Sequence, residues 1–221
     1  MNHWQQLDSA SIPGSPSMMS LHQRGEELMI SVDGNPLMSS RQHGSEDALA
    51  ALALDRLANP QRARLLIGGL GMGFTLAAAL ERLGPDGQAV VAELVPAVIR
   101  WNQGVLGAVA GSPLDDGRAR VQEADVVKLI RGSRRAWDAI LLDVDNGPEG
   151  LTRQSNDRLY SPSGLAAARK ALRPGGVLAI WSAWRDDAFT TRLKRIGYKV
   201  EVKTVRAHGK KGPRHVIWLA R

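Results

Sequence analysis

The chain has 221 residues, 43% of them apolar, no cysteine and a formal net charge of +7. That length buries one substantial core. The lack of cysteine excludes disulfides, thiolate metal sites and cysteine nucleophiles, and no apolar run approaches the about 20 residues of a membrane-spanning helix.

Residues 1–20, rich in Ser, Pro and Gln, read as a loosely held N-terminus. They carry neither the basic start nor the apolar core of a secretory signal, so the expectation is a cytoplasmic protein with no membrane partner. Residues 21–60 read as a hairpin and a helix. The hairpin is Glu27 to Val32, an Asp33-Gly34 turn, then Leu37 to Ser39. The helix opens at Ser45, Glu46 and Asp47, runs to about Ala58 and stops at Asn59-Pro60.

Residues 61–221 alternate strands and helices and read as one ligand-binding domain. Strand 64–67 leads into helix 74–83, strand 88–93 into a helix from Pro96 to about Leu106, and strand 118–122 into a short helix, Val126 to Arg131. The segment Asp138 to Asp143 is apolar between acidic ends, as befits a central strand covered on both faces. An irregular stretch, 144–160, precedes helix 163–172 and strand 177–181. Helix 186–196, strand 198–206, a basic loop 207–213 and strand 214–220 complete the chain. Alternation ending in two successive strands predicts an α/β fold: a doubly wound, mostly parallel sheet with one antiparallel strand, as in class I methyltransferases.

Between the first strand of this domain and its helix lies Gly-x-Gly-x-Gly, at Gly69, Gly71 and Gly73. Glycines there allow a tight turn and close approach of a ligand to the backbone. The position three after Gly71 is Phe74, where a dinucleotide loop has Gly or Ala, so S-adenosylmethionine-type ligands come ahead of NAD. In such sheets ligands lie beyond the carboxyl ends of the strands, where this chain places Glu93, Asp125 and Asp143. Glu93 suits the two hydroxyls of a ribose. Asp125 suits an adenine amino group, or equally a helix cap. Asp143, with Asp145 and Asn146, belongs where the sulfur end of the ligand should lie, although Asp145-Asn146-Gly147-Pro148 also reads as a plain turn. The five histidines show no metal-ligand spacing, and no metal is expected.

Taken together, these segments resemble the spermidine synthase family of aminopropyltransferases. The likeness covers about residues 27–181: the hairpin and helix, Asn59-Pro60, Ile67-Gly68-Gly69, Glu93, Ala124-Asp125, Asp143 to Pro148, Leu159-Tyr160 and Leu172 to Gly176. It implies a transferase whose donor is S-adenosylmethionine or its decarboxylated form, held by Gly69, Gly71, Gly73, Glu93 and Asp125. It also implies that Asp143 accepts a proton from an attacking amine, that Asp145, Asn146 and Tyr160 contact the substrate, and that the protein is a homodimer. Two positions depart from the family: its loop aspartate, which helps hold the aminopropyl ammonium, is matched by Gly71, and its second acid after the central strand by Asn146. The family's upstream Tyr-His-Glu is poorly kept, with Ser45-Glu46-Asp47 near its place. An acid missing at Gly71 leaves room for the carboxylate of S-adenosylmethionine and leans toward methyl transfer; the family likeness leans toward aminopropyl transfer.

Residues 185–221 hold 11 Lys or Arg against 3 acids, whereas the residues before them hold 18 against 19. Such a segment suits a nucleic-acid partner, and hence a macromolecule methyltransferase, or is simply a solvated face. A small-molecule acceptor is the leading expectation, and a catalytically silent nucleoside-binding scaffold is the remaining alternative.

Overall fold

Four strands come first: β1 (Gln5–Ser11), β2 (Met18–Arg24), β3 (Glu27–Val32) and β4 (Asn35–Ser39), antiparallel neighbours in that order. The computed structural model describes residues 3–144, 158–208 and 211–221. The expected Asp-Gly turn joins β3 to β4, with Asp33 and Gly34 both left-handed at φ 49° and 79°, as a two-residue hairpin turn requires.

Residues 5–24 depart from the expectation of a loosely held terminus. β2 pairs with β3 along its length, and Leu21, set opposite Ile30, is fully buried with it. β1 pairs with β2 and is held to the rest of the molecule at Asp8, whose carboxylate accepts the indole N–H of Trp101 at 2.7 Å. β1 buries almost none of its own side chains. Its order therefore comes from backbone pairing and this long-range bond, neither of which a polar composition announces.

The remaining elements are α1 (Gly44–Leu54), β5 (Arg64–Gly68), α2 (Phe74–Leu80), β6 (Gln88–Glu93), α3 (Pro96–Gln103), β7 (Ala119–Glu123), α4 (Val126–Arg131), β8 (Trp137–Leu142), α5 (Pro162–Ala171), β9 (Leu172–Ser182), α6 (Asp187–Arg195), β10 (Val200–His208) and β11 (Lys211–Ala220). The larger sheet has the order β10-β11-β9-β8-β5-β6-β7. Five strands from β9 to β7 are parallel, and β11 runs antiparallel to both its neighbours. This is the expected doubly wound sheet with one antiparallel member.

Several boundaries moved; the helices expected at 74–83 and from Pro96 to about Leu106 end at Leu80 and Gln103. α1 ends at Leu54 rather than near Ala58. β9 starts at Leu172, where it already pairs with Trp137. The expected basic loop 207–213 is mostly strand, because Arg206 pairs with Arg214 and His208 with Lys211.

The sheet is buried on both faces, and alternate residues serve opposite cores. Leu65, Ile67, Ala139 and Leu141 point toward α1, α2 and the N-terminal sheet, whereas Leu66, Ile140 and Leu142 point toward α4, α5 and α6. Among the described residues no helix is long and apolar enough to cross a membrane.

Candidate active site

The glycine loop and the end of β8 are neighbours because β5 and β8 are paired at the sheet centre; the Asp143 N–H donates to the Gly68 carbonyl at 3.0 Å. Gly69, Gly71 and Gly73 are all left-handed, yet they face different things. A Cβ on Gly69 would collide with the Asp143 carbonyl, and one on Gly71 would stand 3.2 Å from the Met38 sulfur. Gly69 and Gly71 line the first cavity. Gly73 does not: it starts α2 and faces Asn102 and Pro113. The loop is therefore two glycines at the cavity and one that turns the chain into its helix. The Met38 side chain reaches the vicinity of Gly71 from β4.

The first cavity is polar where strands end and apolar where the N-terminal sheet covers it. Glu93, only 8% exposed, closes β6. Its Oε2 accepts the Leu70 N–H at 2.9 Å and its Oε1 the Val95 N–H at 2.8 Å. Burial pushes its pKa up, against the pull of these backbone donors. Asp125 caps α4, its Oδ1 accepting the Val127 N–H at 2.8 Å, while the residue also lines the cavity. The helix cap uses Oδ1 and leaves Oδ2 available as an acceptor. Ile12, Met19, Ile30 and Val32 form the opposite wall.

A second cavity lies between the sheet end and α1. Its polar side chains are Ser39, Gln42, Glu46, Thr75, Asp143, Trp181 and His215. The Thr75 hydroxyl donates to Asp143 Oδ2 at 2.7 Å. Burial raises the Asp143 pKa to about 6, with the Thr75 bond pulling it down. Glu46 is raised to about 7, first by burial and then by the Asp143 charge. The imidazole of His215 bonds the Ser45 hydroxyl through Nδ1 at 2.8 Å, and that hydroxyl donates in turn to Glu46. The His215 ring stands edge-on to Trp181, centroids 4.7 Å apart, and burial lowers its pKa.

Asp143 belongs to both cavities, as do Leu37, Met38 and Gly71. Of the sequence-derived site residues, Gly69, Gly71, Glu93, Asp125 and Asp143 are brought together. Asp145 and Asn146 lie outside the described residues. Tyr160 is elsewhere: it is 2% exposed in the core of the far face, edge-on to Phe189 at 5.7 Å, and lines neither cavity. An aromatic residue just before a helix is as well suited to a core as to a pocket, and here the core takes it. Trp181 lines the second cavity, whereas Trp184 is 52% exposed and lines neither.

Glu46 was overlooked as a site residue because an acid in the first turn of a helix is explained by the helix dipole alone. The signal available was its place beside the upstream stretch of the resembled family. Among the described residues no group of three or more His, Asp or Glu is placed to hold a metal ion. Several basic side chains after residue 184 are engaged within the molecule: Arg185 with Asp187, Lys203 with Glu201, and Arg192 with the Tyr160 carbonyl.

No protein-family model matches the chain. It is similar to the polyamine aminopropyltransferase of Mycobacterium tuberculosis, 29% identical over 160 residues, which cover 71% of this chain and 29% of that protein. The chain thus spans less than a third of the length of that relative. Among solved structures, a spermidine synthase in complex with the transition-state analogue AdoDATO superposes with a TM-score of 0.75 at 18% identity, over 98% of this chain and 72% of that one. Human methyltransferase-like protein 13 in complex with SAH superposes with a TM-score of 0.61 at 23% identity, over 80% of this chain and 82% of that one. The resemblance read from the sequence is therefore found again: the chain is similar in sequence to polyamine aminopropyltransferases and shares the fold of a spermidine synthase and of a methyltransferase-like protein.

Proposed function

We propose that the chain is a transferase that moves an aminopropyl group from the sulfonium of a decarboxylated S-adenosylmethionine-type donor to a small amine. The observation that carries this reading is the position of Asp143 in the wall shared by two cavities, one suited to a nucleoside and one to an acceptor. In the first, the carboxylate of Glu93 is oriented by the backbone N–H groups of Leu70 and Val95 at the cavity wall, a placement that suits ribose hydroxyls. Asp125 Oδ2 suits an adenine amino group, and the apolar wall from the N-terminal sheet suits the faces of the base and the alkyl chain. The donor supplies an alkyl carbon made electrophilic by the positive sulfur.

The acceptor must present a neutral amine to that carbon. In the reaction a C–N bond forms, the C–S bond breaks with its electron pair left on sulfur, and the ammonium formed gives up one proton. Asp143 is placed to take a proton from the amine. Its pKa, raised by burial, makes it a better base than an exposed aspartate. Thr75 fixes the orientation of one of its oxygens, and the two cavities position the reactants, which is where most of the rate should arise.

Support for aminopropyl rather than methyl transfer comes from the name of the relative. The test is to offer the protein each donor with a panel of small amines and identify the nucleoside released. 5′-Methylthioadenosine from the decarboxylated donor supports the proposal. S-Adenosylhomocysteine from S-adenosylmethionine, with no turnover of the other donor, contradicts it.

A further inference from the structure

We propose that Glu46 is the residue of the second cavity that holds the ammonium of the acceptor. A carboxylate from the first turn of α1 would thus stand across from Asp143, one residue binding charge and the other moving a proton. This inference rests on the transferase reading for its chemistry, though its binding test does not.

Glu46 and Asp143 reach the same cavity from α1 and from the end of β8. Among the described residues neither has a cationic partner and no Lys or Arg lines this cavity. Three other shielded acids do have cationic partners. Glu27 meets Arg24 and Arg41, Asp138 meets Arg173, and Asp116 meets Arg118. Two carboxylates left without a cation in one shielded space raise each other's affinity for protons, and an organic cation entering between them removes that penalty.

Among the described residues the titratable groups around Glu46 are few. Asp143 faces it across the cavity, Asp47 turns outward to His43, and His215 of β11 reaches it through Ser45. The acid is fixed in place by that last contact, since the Ser45 hydroxyl, 0% exposed, spans from imidazole to carboxylate. A helix-surface glutamate with only a dipole role has no need of a buried hydroxyl to orient it.

An independent sign of a polar occupant comes from Trp181. Its indole Nε1 is buried without a hydrogen-bond partner among the described residues, on the wall of this same cavity. A buried N–H left unpaired is costly, and an acceptor atom on a bound ligand would satisfy it. An ammonium at Glu46 and a lone-pair atom toward Trp181 together describe a short amine with a second polar group, such as a neutral second amine or a hydroxyl.

The test uses 1,4-diaminobutane, 4-aminobutan-1-ol and the uncharged 1,4-butanediol as probes, with calorimetry on the whole chain in the presence of 5′-methylthioadenosine. The expected result is that both amines bind, that the diol does not, and that Glu46→Gln weakens amine binding at least tenfold while Glu46→Asp recovers part of it. In steady state Glu46→Gln should raise KM for the amine by a similar factor with a smaller change in kcat, and leave KM for the donor unchanged. Nucleoside binding by Glu46→Gln reports that the variant is folded. Equal amine affinity in Glu46→Gln and wild type, or no amine binding by wild type, overturns the assignment. Glu46-dependent amine binding without any release of thioether nucleoside would instead overturn the transferase reading and leave the ammonium site standing.

Discussion

The hydroxyl of Thr75, in the first turn of α2, donates to Asp143 Oδ2 at 2.7 Å and is itself only 3% exposed. It joins the helix after the glycine loop to the acid after the central strand. The bond stabilises the charged form of Asp143 and opposes the effect of burial. Replacing Thr75 by Val removes the donor at nearly constant shape and should move the acidic limb of the pH–rate profile upward from its position near the Asp143 pKa of about 6. We expect kcat to fall roughly tenfold near neutral pH, with recovery in Thr75→Ser. The readout is the pH profile of kcat for the three proteins.

Asp143 and Glu46 also make a signed prediction about stability. Their folded pKa values are raised, to about 6 and about 7, so the folded state binds more protons than the unfolded state above about pH 4. Stability should therefore decline as pH rises from about 4 through these values. Above them, Glu46→Gln and Asp143→Asn should each be more stable than wild type, by on the order of 1–2 kcal/mol. The gain should shrink toward pH 4. Thermal or denaturant unfolding at pH 4.5 and 8 checks the sign; a loss of stability in both variants at pH 8 contradicts the account.

Gly71 and Met38 make the third prediction. With φ at +53° and the Met38 sulfur 3.2 Å from where a Cβ would stand, Gly71→Asp should cost roughly 2–3 kcal/mol. Met38→Ala vacates that space. The double variant should therefore be less destabilised than the sum of the single changes, a coupling of about 1 kcal/mol measurable by denaturant unfolding.

Glu93 gives a fourth. Its two oxygens accept backbone N–H groups of Leu70 and Val95, and a glutamine can accept only one of them while turning its own NH2 against the other. Glu93→Gln should lose roughly 1–3 kcal/mol of stability and weaken binding of 5′-methylthioadenosine at least about tenfold, both accessible by calorimetry.

Much of this architecture was legible because the central strands carry their own signal. Leu65 to Ile67 and Ala139 to Leu142 are apolar runs bounded by a glycine loop and by acids, and burial on both faces of a parallel sheet leaves little else they could be. Glu93, Asp125 and Asp143 could be placed because strand ends in such a sheet share one edge. β1 could not be read, since its exposed Gln5–Ser11 is ordered by pairing and by the Asp8 bond to Trp101 rather than by its own hydrophobicity. Gly73 and Gly71 look alike in sequence and differ in what they face, Asn102 in one case and Met38 in the other. Glu46 escaped for the same reason: its meaning depends on Asp143, which only the packing of α1 over the end of β8 brings near.

The central claim, that Asp143 at the junction of the two cavities accepts the proton of an attacking amine, is tested most directly by single-turnover release of 5′-methylthioadenosine from decarboxylated S-adenosylmethionine with 1,4-diaminobutane, wild type against Asp143→Asn. The account predicts that wild type releases the thioether nucleoside and that Asp143→Asn slows the step by about a hundredfold or more, with affinity for the donor changed by no more than a few-fold. Release at the wild-type rate by Asp143→Asn contradicts it.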